Sequence, residues 1–169
     1  ISLTNNKKAG RPFGSLLRIV EKDGNPLSLE FQATTWIAGS PEVGFACPDN
    51  LCFDRQGNLW MTTDMSGASV WRDPYKPFGN NSLFMIPAKG EMAGQPIRMA
   101  NAPVGAEFTG PLFSPDGKTL FLSVQHPGER FYDKAFHPSH WPDGGDANPC
   151  PCVVAISGPT LESLTNPLT

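Results

Sequence analysis

Five residues in the chain carry oxygen or nitrogen atoms in settings where a chemical site could form: Asp49, Asn50, Asp64, Glu107 and His126. Asp49 and Asn50 stand in Ala46-Cys47-Pro48-Asp49-Asn50-Leu51, and Glu107 in Glu107-Phe108-Thr109-Gly110-Pro111-Leu112. In both stretches an oxygen-bearing side chain directly precedes an apolar segment. Asp64 closes the run Leu59-Trp60-Met61-Thr62-Thr63, and His126 follows a second run inside Gln125-His126-Pro127-Gly128-Glu129. Carboxylates and an amide gathered at one place are hard oxygen ligands. They suit Ca²⁺ or Mg²⁺ and, as carboxylates, Fe³⁺. A histidine after a strand end suits a ligand or a phosphate contact. Each also has a plainer reading. Asp49 and Asn50 suit a turn bonded to its own backbone, Glu107 a surface carboxylate, and His126 a loop histidine. Asp54 and Asp116 read as turn residues, and His137 and His140, in a loop rich in Pro and Trp, as structural.

These residues need elements to position them, and the pattern calls for strands. Helical periodicity is nearly absent, with Leu161–Leu164 the one short candidate. Apolar runs bounded by turn residues recur instead. Ser15–Val20, Ser82–Pro87 and Cys152–Ser157 form one set of similar strands. Leu51–Thr63 and Leu112–Val124 form a second set, each reading strand, tight turn, strand. Their turns, Arg55-Gln56-Gly57-Asn58 and Pro115-Asp116-Gly117-Lys118, place Gly where the backbone needs a positive φ. Phe31–Ala38 and Ile97–Val104 form a third set.

The three sets recur in the same order at a spacing of about 60 to 70 residues, a period suited to propeller blades with loop insertions. The expected fold is therefore all-β, a partial β-propeller of four-stranded antiparallel blades. Residues 14–38 would end one blade, 46–104 would form a complete blade, 107–158 most of the next, and 159–169 a tail. The innermost strand of a blade lines the central channel, so the starts at Asp49 and Glu107 would meet at the channel mouth. A generic β-sandwich is the alternative. Two or three blades leave outer faces and strand edges uncovered, so such a piece should be marginally stable or should pair with another chain, a homo-oligomer included.

The composition agrees with a strand-rich globular chain and excludes several classes. Of the 169 residues, 39% are apolar and 17% charged, enough for a core. With 17 Gly and 18 Pro, the chain suits short strands joined by turns. No apolar run reaches the roughly 18 residues that span a membrane. The formal net charge is −3 with signs interspersed, so there is no basic stripe for nucleic acid. No phosphate-binding glycine loop and no nucleophile elbow appears, which leaves covalent serine chemistry without support. Cys47, Cys52, Cys150 and Cys152 lack zinc-finger spacing. They read as small buried hydrophobes, or as a disulfide if the protein is exported. Both termini read as cuts within a longer parent.

The stretch Cys47-Pro48-Asp49-Asn50-Leu51-Cys52-Phe53-Asp54, then Gly57-Asn58-Leu59-Trp60 and Thr63-Asp64, resembles the PhoX-type alkaline phosphatases. A second block resembles them too: Glu107–Pro111, Phe113–Gly117, Leu120-Phe121 and Gln125–Glu129, with Trp141-Pro142-Asp143-Gly144 before the last strand. The resemblance runs from about residue 10 to 158. It implies the C-terminal part of a secreted or periplasmic phosphomonoesterase, exported folded by the twin-arginine route, with iron and calcium in a propeller channel. Those ions would bind substrate phosphate and activate an oxygen nucleophile. By position it carries ligand roles to Asp49 and Glu107 first, then to Asn50 and Asp64, and a substrate contact to His126. The iron-binding cysteine of the family falls in an N-terminal half without a counterpart here, so neither Cys47 nor Cys52 takes that role.

The ligands on these residues are too few for a multi-ion cluster, so the piece alone is expected to be inactive, and an ion-free state is compatible with that expectation. Two other readings stay open. One is a calcium-dependent propeller hydrolase of the lactonase kind. The other is a non-catalytic propeller that binds a partner or a carbohydrate.

Overall fold

The computed structural model describes residues 1–129 and 139–165. His137 lies outside the described residues, as does the end of the expected tail. Among the described residues the architecture is three antiparallel sheets and one α-helix. The first sheet holds β1 (Ser2–Leu3), β2 (Ser15–Glu21) and β3 (Phe31–Ala38) in that order. The second is β4 (Pro48–Phe53), β5 (Leu59–Thr63), β6 (Ser82–Ile86) and β7 (Ile97–Asn101). The third holds β8 (Glu107–Phe113), β9 (Thr119–Gln125) and β10 (Cys152–Ser157), with β9 central. Helix α1 (Pro159–Thr165) follows.

All three recurring strand sets are strands, in the expected order. The middle sheet holds four strands and the third sheet three. The first sheet adds β1 to the two strands read as Ser15–Val20 and Phe31–Ala38. Two residues, Ser2 and Leu3, pair with Leu16 and Ser15, too short a run to leave an alternation in the sequence. Residues 159–165, read as tail, form a helix that buries Leu161 and Thr165.

Burial explains why the middle strands lack alternation. Every residue of β5 and β6 is buried. Successive side chains of a strand point to opposite faces. Leu59, Met61, Phe84 and Ile86 therefore join Leu16 and Phe45 in a core beneath the first sheet. Trp60, Leu83 and Met85 join Phe108, Leu120, Leu122 and Val124 in a core against the third. A sheet packed on both faces takes apolar residues on both, and the buried Thr62, Thr63 and Ser82 are hydrogen-bonded. The outer sheets are different. Phe31 is 62% exposed and Trp36 43% on the first, and Val153 70% and Leu112 65% on the third, so both leave large apolar side chains in solvent.

The hairpin turns have the geometry the sequence requires. Gly57 and Gly117 sit at φ 80° and 75°, where a Cβ would be strained. Thus β4 and β5, and likewise β8 and β9, run antiparallel with turns at one end. The chain positions of Asp49, Asp64, Glu107 and His126 all fall at the other end.

Candidate metal and phosphate site

Pairing sets where the carboxylates meet. Pro48 pairs with Thr63, so Asp49 at the start of β4 lies beside Asp64 just past the end of β5. Glu107 opens β8 opposite Gln125, the last residue of β9, so His126 follows next to it. The third sheet packs its β8 against β4 and β5 of the second, which carries Glu107 to Asp64. A close approach of two loops fixes His126. Gly105, at φ 72°, lies so near Gly128 that a Cβ there would fall 3.0 Å from the Gly128 backbone.

The electrostatics follow from this crowding. The Glu107 residue is 8% exposed. Its carboxyl is pushed up to about 7 by burial first, then by a side-chain hydrogen bond and charge repulsion from Asp64, with His126 opposing. Asp49 is also raised, by burial and then by the Asp64 charge. Asp64 is thus the hub between the other two. His126 Nε2 lies 3.4 Å from Glu107 Oε1, and its Nδ1 lies 3.4 Å from Glu129 Oε2. Glu107 Oε2 is buried and has no hydrogen-bond donor. Its neighbour Asp64 is itself a carboxylate, so a shared proton or a cation is what relieves the contact.

Asn50 is bonded throughout. Its Nδ2 donates to Asp49 Oδ2 at 2.8 Å. Its Oδ1 accepts from the Thr109 hydroxyl and from the Gly110 N–H, and its own N–H donates to Thr62 Oγ1. An amide oxygen has two lone pairs, and both are taken here. Asn50 therefore ties β4 to β8 and orients Asp49, leaving its oxygen no capacity for an ion in this arrangement.

The structure brings Asp49, Asp64, Glu107 and His126 to one end of the second and third sheets. Among the described residues, no three His, Cys, Asp or Glu side chains form a ligand set for an ion. The fit to a cation is therefore partial: a crowded carboxylate group with one bare buried oxygen. Sequence reading overlooked Thr62, Thr109, Glu129 and Asn81. Only Asn81, one of two polar residues ahead of an apolar strand, left a recognisable signal there.

The cysteines are free thiols, Cys47 buried and Cys150 exposed, and exposure of Cys150 departs from the buried reading. Burial pushes both Cys47 and Cys52 up to about 11. At pH 8 an aromatic disulfide reagent should label Cys150 within minutes, while Cys47 and Cys52 react only on unfolding. Peptide mass spectrometry after brief labelling reads this directly, and early labelling of Cys47 would contradict the packing around it.

A family model described as Alkaline phosphatase PhoX matches residues 2–128. A solved structure, Pseudomonas fluorescens PhoX in complex with vanadate, a transition state analogue, superposes with a TM-score of 0.77 at 30% identity. That match covers 92% of this chain and 30% of the other, so the chain spans less than a third of that protein's length. No curated protein matches the chain.

Proposed function

Because this chain belongs to the alkaline phosphatase PhoX family, we propose that it supplies one wall of the active site of a metal-dependent phosphomonoesterase. The three sheets are read as successive propeller blades, with their apolar outer faces covered by further blades or by a second copy. The protein is secreted or periplasmic, exported by the twin-arginine route, and its substrate is a phosphate ester.

One observation carries this reading: Glu107 holds a bare buried oxygen against the Asp64 carboxylate. Like charges in that contact weaken the fold unless a cation joins them. Asp49, Asp64 and Glu107 are the proposed ligands, toward calcium and iron, and Asn50 holds Asp49 in place. His126 restrains Glu107 and is the proposed contact for a phosphate oxygen. The bound ions would supply Lewis-acid activation of the phosphoryl group and of an oxygen nucleophile. The chain's own residues hold the ligand carboxylates at fixed separation and exclude water from Glu107.

Three carboxylates fall short of a multi-ion cluster, so the 169-residue chain alone should release no phosphate from a monoester. Elemental analysis of the natural protein that carries this chain is the test. Iron together with calcium supports the phosphatase. Calcium alone would favour a lactonase-like hydrolase, and no bound metal a binding module. Asp49→Ala should lower metal content and activity in parallel, and wild-type values for both would remove Asp49 from the site.

A further inference from the structure

Asn81 is 2% exposed and lies between the two segments that carry Asp64 and Glu107. Its Oδ1 accepts from the Met65 N–H at 2.7 Å, and its Nδ2 donates to the Met65 carbonyl at 3.1 Å. The same Nδ2 reaches the Ala106 carbonyl at 3.4 Å. Met65 directly follows Asp64, and Ala106 directly precedes Glu107. Thr63, on the other side of Asp64, donates from its hydroxyl to Asn81 Oδ1 at 3.4 Å. That hydroxyl accepts from the Ser82 N–H at 3.0 Å. The amide thus grips both sides of Asp64 and the approach to Glu107.

We propose that Asn81 is a positioning residue that fixes the separation of the Asp64 and Glu107 carboxylates. The proposal rests on the reading of that pair as a working site. The chemistry requires an amide. A residue that both accepts from an N–H and donates to two carbonyls must carry an acceptor and a two-proton donor on one short side chain, and Asn does so. Two carboxylates that repel each other drift apart unless their backbones are tied, and metal affinity falls when supporting groups are lost. The neighbouring Asn80 provides a comparison. It is also buried, and its Nδ2 donates to the carbonyls of Ala102 and Pro103, both at 2.7 Å, away from Asp64.

The test compares Asn81→Ala with Asn80→Ala in the natural full-length protein. Calcium affinity by calorimetry, kcat with a generic phosphate monoester, and thermal midpoint are measured for each. Asn81→Ala should weaken calcium binding and lower kcat about 10- to 100-fold, with kcat recovering as calcium is raised. Asn80→Ala should lower the thermal midpoint and leave calcium affinity unchanged. If Asn81→Ala does not fold, Asn81→Asp keeps the acceptor, loses both donations and serves in its place. Unchanged calcium affinity in a folded Asn81 variant overturns the proposal, as does a loss of affinity equal to that of Asn80→Ala. Glu107→Gln with wild-type calcium affinity would instead overturn the reading of the site itself, so the two failures are separable.

Discussion

Replacing Glu107 by Gln should act with opposite signs on stability and on activity. In the chain kept metal-free with a chelator, Glu107→Gln should stabilise the fold at pH 8 by about 1 to 3 kcal/mol. The sign follows from the raised carboxyl, at about 7 in the folded chain against an ordinary value of 4.5. Between those values the folded state holds more protons than the unfolded state, so stability falls as pH rises. Below about pH 4.5 both states are protonated and the Glu107 contribution vanishes. Above about pH 7 the destabilisation is complete. Gln keeps the shape, carries no charge and can donate to Asp64. The advantage of the variant should therefore appear between pH 5 and 7 and stay level above. Urea unfolding at pH 4.5, 6 and 8 measures it. If the proposed function holds, the same change in the natural protein should lower phosphomonoesterase activity about 10²- to 10³-fold, because a proposed ligand carboxylate is gone. A variant no more stable than wild type at pH 8 would mean that Glu107 carries no electrostatic strain.

The sequence contained more of the fold than of the site, for a physical reason. Strands leave apolar runs bounded by turn residues, and tight turns leave glycines, so β2 through β10 could be read from local residue order. A two-residue strand such as β1 leaves neither. The candidate residues were visible as oxygen-bearing side chains before apolar runs, and four of them do fall at one end of the second and third sheets. Their roles depend on contacts across large sequence separations. Asn50 looked like a ligand because its partners, Thr109 and Gly110, lie some 60 residues on and belong to another sheet. Asn81 carried no visible role because its partners, Met65, Ala106 and the Thr63 hydroxyl, lie 16 to 25 residues away in the chain. His126 read as a ligand, a phosphate contact or a loop histidine, and its partners Glu107 and Glu129 emerge only from the pairing.

Asp54 illustrates the same point at the opposite end of the hairpin, and its removal should produce the largest loss of stability. The residue reads as turn chemistry, and it does cap the turn. Its Oδ1 accepts from the N–H groups of Gln56 and Asn58 at 2.9 and 3.0 Å. Its Oδ2 also accepts from the Asn58 side chain at 2.8 Å and from Trp60 Nε1 at 2.9 Å. Asn58 in turn receives the Ala88 N–H on Oδ1 and donates to the Leu164 carbonyl in α1. Trp60 is 1% exposed and meets the Phe113 ring edge-on at 5.4 Å. Asp54→Ala would strip the acceptor from four donors at once, two of them on buried side chains. Leaving such donors unsatisfied costs about 1 to 3 kcal/mol each, less what water entering the turn restores. The expected loss is about 3 to 5 kcal/mol, read as a lower urea midpoint. Asp54→Asn separates the two halves of the role. It keeps Oδ1 for the backbone but turns an NH₂ toward Trp60 and Asn58, donor against donor, so it should recover less than half of the loss. Since Asp54 lies at the far end of β4 from Asp49, metal uptake of the folded variants should match wild type. A shift in metal affinity as large as that of Glu107→Gln would mean that the two ends of the sheet are coupled, against the separation of scaffold and site.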